Sequence, residues 1–218
     1  MEIIPDKFYA PATRSALSLL KDAVELRRDY KIGQFLKAVD YCYERMSVDN
    51  SIKIQEFVNE EKTREFLEEY ARAIINTPST ITLKALAILY SDYNNYDFSH
   101  NLKIRFVNCI NGLDDLKVNL FIKLSKIKTV RRLPVCDIIS VYNENFEQLD
   151  LGVEIDELLA YSEDFLRRGL ILRDPRIEPD AKFYRPQNED WSIVFGLSAT
   201  QRRYASLLEF AKNLSTDL

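Results

Sequence analysis

Apolar residues recur at spacings of three and four over most of the first 130 positions, the spacing of one face of an α-helix. The clearest such stripe runs from Leu113 to Ile127, and we expect a break or bend in the helical pattern at Gly33. These faces predict a multi-helix body with a shared core. The residues that we predict to be buried in it are Ile74, Phe106, Leu116, Leu120 and Leu124.

The last third of the chain has a different pattern. Glu154–Arg168 has helical spacing and is followed by Gly169, a residue that commonly ends helices. Two short apolar runs, Leu170–Arg173 and Trp191–Leu197, then flank a turn-rich excursion that contains three prolines, and helical spacing returns at Ser198–Leu214. Helix, strand, long polar loop, strand and helix is the order of a winged-helix module. The two apolar runs would form its short β-hairpin.

We therefore predict a mainly α fold in which a multi-helix body is followed by a winged-helix-like module. The predicted division is residues 1–130 for the body and 131–218 for the module. The weakest connection is Lys128–Pro134, and the helix at Leu113–Ile127 is open to assignment to either half.

Composition limits the classes of function. The 218 residues carry a formal net charge of −4, so the chain as a whole has no general affinity for polyanions. Three widely spaced cysteines without a Cys-x-x-Cys pair argue against a zinc site and a disulfide framework. The first residues lack the apolar core of a signal peptide, and the apolar run Ile81–Tyr90 is too short to span a bilayer. We expect a cytoplasmic protein that does not contact membranes.

No recognisable active site is present in the sequence. The single histidine, His100, lies at a predicted helix start, where a polar residue is ordinary, and no nucleophile motif accompanies it. The five glycines are scattered and form no phosphate-binding loop. Neighbouring carboxylates such as Glu163 and Asp164 point to different sides of a helix. We expect a protein that is not an enzyme and that holds no cofactor or metal ion.

A basic stretch follows the stripe that ends at Ile127. Between Asn101 and Arg132 there are eight Lys and Arg residues against two Asp residues. One interpretation is a surface for phosphate groups, and the other, which we favour, is a basic helix end stabilised by the helix dipole. The candidate nucleic-acid contacts in this stretch are Lys126, Lys128, Arg131 and Arg132.

A loop at Ser91–Ser99 places three aromatic residues, Tyr93, Tyr96 and Phe98, among polar ones. Exposed aromatic side chains often anchor a protein partner. Aromatic residues at the tip of a helical turn fold inward equally often, and the sequence does not separate these two interpretations.

The charge of the predicted recognition helix argues against DNA. Glu154–Arg168 contains five acidic residues, whereas a helix in the major groove normally presents Arg, Lys, Asn or Gln to the bases. A protein partner fits this charge better, and a DNA-binding regulator is the alternative. Basic residues gather near the exit of this helix and are candidate partner contacts, namely Arg167, Arg168, Arg173 and Arg176.

Three segments resemble a group of short bacterial proteins of uncharacterised function that combine a helical body with a winged-helix-like tail. The segments read LRRDYKIGQFLKAV, EFVNEEKTREFLEEYARAIIN and FLRRGLILRD followed by WSIVFGLSATQRRYASLLEF. Many winged-helix proteins close on Leu-Thr-x-x-Gly, and this chain lacks that Gly after Leu197. The resemblance implies a nonenzymatic bacterial protein, carried by a mobile element or linked to phage defence, and it transfers no functional residues.

Overall fold

The structure is a computed structural model that describes residues 11–44, 61–91, 98–175, 184–187 and 190–214. Side chains are described at 24–42, 69–91, 98–175 and 191–214. Helices dominate these residues, which confirms the mainly α fold class. None of the described helices is both long enough and apolar enough to cross a membrane.

The body consists of helices that precede residue 130. They are α1 (Pro11–Glu44), α2 (Glu61–Asn76), α3 (Thr80–Tyr90), α4 (His100–Ile110) and α5 (Asp115–Lys126). Helix α1 begins on a proline, whose fixed φ and missing N–H suit a first helical position, and it continues through Gly33 without a break. Helix α3 begins after Ser79, whose Oγ accepts a hydrogen bond from Thr82 N at 2.9 Å.

The C-terminal part combines a small antiparallel sheet with three further helices. In chain order the elements are β1 (Arg131–Arg132), β2 (Asp137–Tyr142), α6 (Asn143–Phe146), a 3-10 turn (Glu147–Leu149), α7 (Ile155–Arg168), β3 (Tyr184–Gln187), β4 (Asp190–Leu197) and α8 (Ala199–Asn213). The strands lie in the order β1-β2-β4-β3. Helix α7 ends at Gly169, as predicted, in the left-handed conformation that glycine adopts without strain.

The sheet is larger than the predicted hairpin. Strand β4 corresponds to the predicted run Trp191–Leu197, but its hairpin partner is β3. The other predicted strand, Leu170–Arg173, contributes an isolated bridge between Leu172 and Gly196. Strand β2, which we did not predict, pairs with β4 along its whole length. Ile138, Ile139 and Val141 are all buried, so β2 lacks the alternation that marks a strand with one face in water.

One hydrophobic cluster connects the body with the C-terminal part and extends from Phe35 to Leu214. The buried residues that we predicted correctly are Ile74, Phe106, Leu120 and Leu124. Leu116 was predicted wrongly, because 45% of it is exposed. Each step of four residues advances about 40° around a helix, so Leu116 lies about 80° from Leu124. That angle places Leu116 outside the buried face.

Gly196 lies where β4 packs against Cys136 and Leu172. A Cβ at this position would lie 2.7 Å from Cys136 Sγ and 3.3 Å from Cys136 Cβ. We expect Gly196→Ala to lower the free energy of unfolding by about 1–3 kcal/mol, the usual range for overpacking a core. In a Cys136→Ala background the cost should fall, because the closest atom is gone. Denaturant titrations of the parent, the two single variants and the double variant measure this. If the two changes in the free energy of unfolding simply add in the double variant, the prediction is contradicted.

Candidate functional site

The segment between β2 and α7 forms a groove on one side of the C-terminal part. Asn145 fixes the end of β2, because its Oδ1 accepts from Tyr142 N at 2.8 Å and its Nδ2 donates to Ser140 O at 3.3 Å. Asp150 and Gly152 then adopt positive φ angles of 42° and 77°, which reverse the chain. Lys123 Nζ, from α5, donates to Asp150 O and holds this turn against the body. The groove has a volume of about 320 Å³.

Carboxylates line and surround this groove, and we call them the acidic face. Four are exposed and Glu157 is half-buried; the set is Glu144, Glu147, Asp150, Glu154 and Glu157. Two of them have a local structural role, because Glu157 Oε2 accepts from Glu154 N at 3.0 Å at the start of α7, where negative charge is favoured by the helix dipole. Glu147 and Asp150 lie outside α7, so its dipole does not account for them.

Aromatic side chains border the acidic face. Phe146, which lines the groove, contacts Trp191 edge to face with ring centroids 5.5 Å apart. Both rings are half-buried, and Tyr142, the last residue of β2, is 40% exposed. Partly exposed aromatic rings beside charged groups are typical contacts of protein partners. We did not predict these residues as partner contacts from the sequence, although Trp191 is the only tryptophan of the chain.

The opposite end of α7 carries a cluster of charges around Asp164, which is only 8% exposed. Asp164 accepts a hydrogen bond from Arg167 Nη2 at 2.8 Å and one from Lys117 Nζ at 3.3 Å. Arg168 Nε lies 3.0 Å from Asp164 Oδ1 without hydrogen-bond geometry, so that contact is an ion pair. Burial by itself raises the pKa of Asp164, but the contacts with Arg167, Arg168 and Lys117 outweigh it and lower the pKa below its usual 3.8.

Two of the four predicted arginine contacts share a surface. Arg167 and Arg173 are exposed and line a common groove of about 480 Å³ together with Glu163. Arg168 is half-buried, and its Nη1 donates to Asn111 O at 2.6 Å, so it connects α7 to the loop before α5. Arg176 lies outside the described residues.

The predicted aromatic loop is only partly described. Phe98 is 6% exposed and packs against Tyr204 with ring centroids 5.7 Å apart, which agrees with the inward-folded interpretation for this residue. Its ring is not available to a partner in this conformation. Tyr93 and Tyr96 lie outside the described residues.

Two of the candidate nucleic-acid contacts, Arg131 and Arg132, lie at the opposite end of β2 from the acidic face. All four residues of the set are exposed, namely Lys126, Lys128, Arg131 and Arg132, and Lys126 also forms an ion pair with Glu209. Arg132 pairs with Asp137 at the start of β2, whereas Tyr142 at its end borders the acidic face. These ends are about 17 Å apart along the strand. The structure therefore does not join these two arginines and the acidic face into one site.

Acid should destabilise the protein through Asp164. A carboxyl whose pKa is lowered by folding contributes stability above its unfolded pKa, and that contribution disappears as the pH falls through the lower folded pKa. We therefore expect the free energy of unfolding to decrease once the pH is lower than about 4, which is the pKa of Asp in the unfolded chain. Asp164→Asn should reduce this loss, although the variant starts from a lower stability at pH 7. Denaturant titrations from pH 7 to strongly acidic pH measure it, and identical pH profiles would contradict the assignment.

Cys42, Cys109 and Cys136 form no disulfide in the described part of the chain. No cluster of His, Cys, Asp and Glu there could hold a metal ion. Burial raises the pKa of both Cys109 and Cys136, which disfavours the reactive thiolate form. His100 is the first residue of α4.

Comparison with known proteins adds no further information about the site. No protein-family model, curated protein or solved structure matches the chain significantly.

Proposed function

We propose that residues 115–213 contain a winged-helix module that binds a basic protein partner. The order of α5, β2, α6, α7 and the β3–β4 hairpin supports this proposal, because winged-helix modules run helix, strand, helix, helix, strand, strand. The central position of β4 between β2 and β3 agrees with the same architecture. In this interpretation α6 and α7 form the helix-turn-helix, and α7 occupies the recognition position.

The acidic face is the single observation that carries the choice of partner. The first turn of α7 and the segment before it present carboxylates to solvent where a DNA-binding protein would present cations. The phosphates of a duplex would be repelled there, whereas Lys and Arg side chains of a protein would be attracted. The Phe146–Trp191 pair adds apolar contact area beside the charges.

The proposed role is regulatory and nonenzymatic, in the cytoplasm of a bacterial cell or in a mobile element connected to phage defence. The resemblance of the sequence to short bacterial proteins supports this setting. Binding through a charged face and an aromatic border requires no cofactor, since affinity comes from complementarity of charge and shape.

Peptide binding tests the proposal. We expect a fluorescent Arg-rich peptide to bind at low salt, and a neutral peptide of equal length to bind at least about tenfold more weakly, a difference of about 1.4 kcal/mol. Replacing Glu144, Glu147 and Asp150 by their amides should remove most of the difference. The matched control converts three exposed acids of α1, namely Glu25, Asp29 and Asp40, to amides. Equal losses in both triple variants would show nonspecific charge attraction and contradict the proposal.

DNA binding is the alternative function, and exposed cations near β1 favour it. Lys128, Arg131 and Arg132 would contact phosphates from the far end of the sheet, so that binding would be independent of sequence and steeply salt-dependent. A filter-binding assay with random duplex at low salt distinguishes the two functions. Tight duplex binding that is lost after Arg131→Ser and Arg132→Ser, with no peptide binding, would support the alternative.

A further inference from the structure

The exposed residues of α7 have the same spacing in both directions along the helix. These residues are Asp156, Ala160, Glu163 and Arg167, separated by four, three and four positions. A twofold axis perpendicular to the helix between residues 161 and 162 therefore superimposes this stripe on itself. Such an axis is the symmetry of most homodimers, in which both copies use the same surface.

The charges of the stripe complement each other under that axis. Asp156 of one copy would face Arg167 of the other, and the same contact would occur twice. The two residues are about 16 Å apart along the helix, so the pairs would lie at the two ends of the contact. We propose that α7 binds the α7 of a second copy of this chain in antiparallel orientation, and this goes beyond the basic partner of the acidic face.

The centre of the stripe permits close approach of two helices. Ala160 has a small side chain, and the half-buried Leu159 and Leu166 border the stripe on one side with apolar surface. The groove of about 480 Å³ beside Ala160 and Leu166 provides space for side chains of the second copy. Arg167 is oriented by its hydrogen bond to Asp164 while 79% of its side chain is exposed, so it remains accessible to an acid of the partner.

One residue opposes the pairing. The two copies of Glu163 would lie within about 5 Å of each other along the axis, next to the twofold. Like charges at that distance repel, so Glu163→Gln should strengthen the dimer a fewfold. If this surface bound a basic protein instead, the loss of this acid would weaken binding. The effect of Glu163→Gln therefore distinguishes a second copy of the chain from a basic partner.

Analytical ultracentrifugation of the full chain at low salt tests the proposal. At about 100 µM we expect a substantial dimer fraction that decreases with salt, as for a micromolar dissociation constant. Asp156→Arg and Arg167→Glu should each weaken the dimer roughly tenfold, because each creates two contacts between like charges. Asp29→Arg, a charge reversal of an exposed acid on α1, is the matched control and should leave the dimer unchanged.

Mixing the two single variants gives the decisive result. A heterodimer of Asp156→Arg with Arg167→Glu pairs opposite charges at both ends, so the mixture should recover association that neither variant shows alone. Circular dichroism confirms folding, and Asp156→Asn with Arg167→Gln replace any variant that does not fold. A parent chain that is monomeric at this concentration, or a mixture that does not recover, would overturn the proposal.

Discussion

Leu120→Ala is expected to lower the free energy of unfolding by about 3 kcal/mol, within the range for a fully buried leucine in a well-packed core. Leu120 is 1% exposed and lies in the middle of α5, in the cluster that joins the body to the C-terminal part. Alanine removes the apolar contacts of the side chain and leaves a cavity that neighbours on both sides can fill only partly. Denaturant titration monitored by circular dichroism measures the change.

The same helix offers a matched control. Leu116 lies one turn earlier and is 45% exposed, so Leu116→Ala removes little buried surface. We expect a change of less than about 1 kcal/mol, because alanine is also the better helix former. Equal effects of the two substitutions would show that Leu116 and Leu120 are buried to the same extent, which would contradict the structure.

Asp164→Ala is expected to destabilise the protein by about 3 kcal/mol, close to the cost of removing one partner from a buried ion pair. The substitution leaves Lys117, Arg167 and Arg168 without their common carboxylate. Arg167 can turn into water, but Arg168 and Lys117 have exposed side-chain fractions of only 25% and 23%. Their mutual repulsion in a partly buried site is the main source of the cost.

Two controls separate charge from packing in this prediction. Glu163→Ala removes a neighbouring acid from the exposed side of α7 and should change the stability by less than about 0.5 kcal/mol. Asp164→Asn retains the shape and some hydrogen bonding, so we expect an intermediate loss. High salt should reduce the cost of Asp164→Ala by screening the remaining cations. An Asp164→Ala variant as stable as the parent would contradict a structural role for the cluster.

Periodicity in the sequence was sufficient to identify most of the helices and to exclude a large sheet. Helices α2, α4 and α5 each bury one face, and apolar residues repeated every three and four positions indicate that face directly, whereas α3 is buried on nearly every side. The stop at Gly169 and the strand at Trp191–Leu197 were also predictable, because a glycine at a helix end and a short apolar run are local signals. These features depend on neighbours within a few positions along the chain.

Only the tertiary structure identified β2, the buried position of Phe98 and the exposure of Leu116. Strand β2 pairs with residues distant in sequence, and its own sequence shows no alternation of apolar and polar residues. The acidic face likewise joins the end of β2 to the start of α7 and to Trp191 of β4, which are separated by up to about fifty positions. In the sequence Asp164 resembles a surface acid paired with Arg167 and Arg168 on its own helix, and only the tertiary structure shows that it is buried and also contacts Lys117 of α5. A local pattern determines which face of an element is apolar, whereas packing between distant segments determines which polar groups meet.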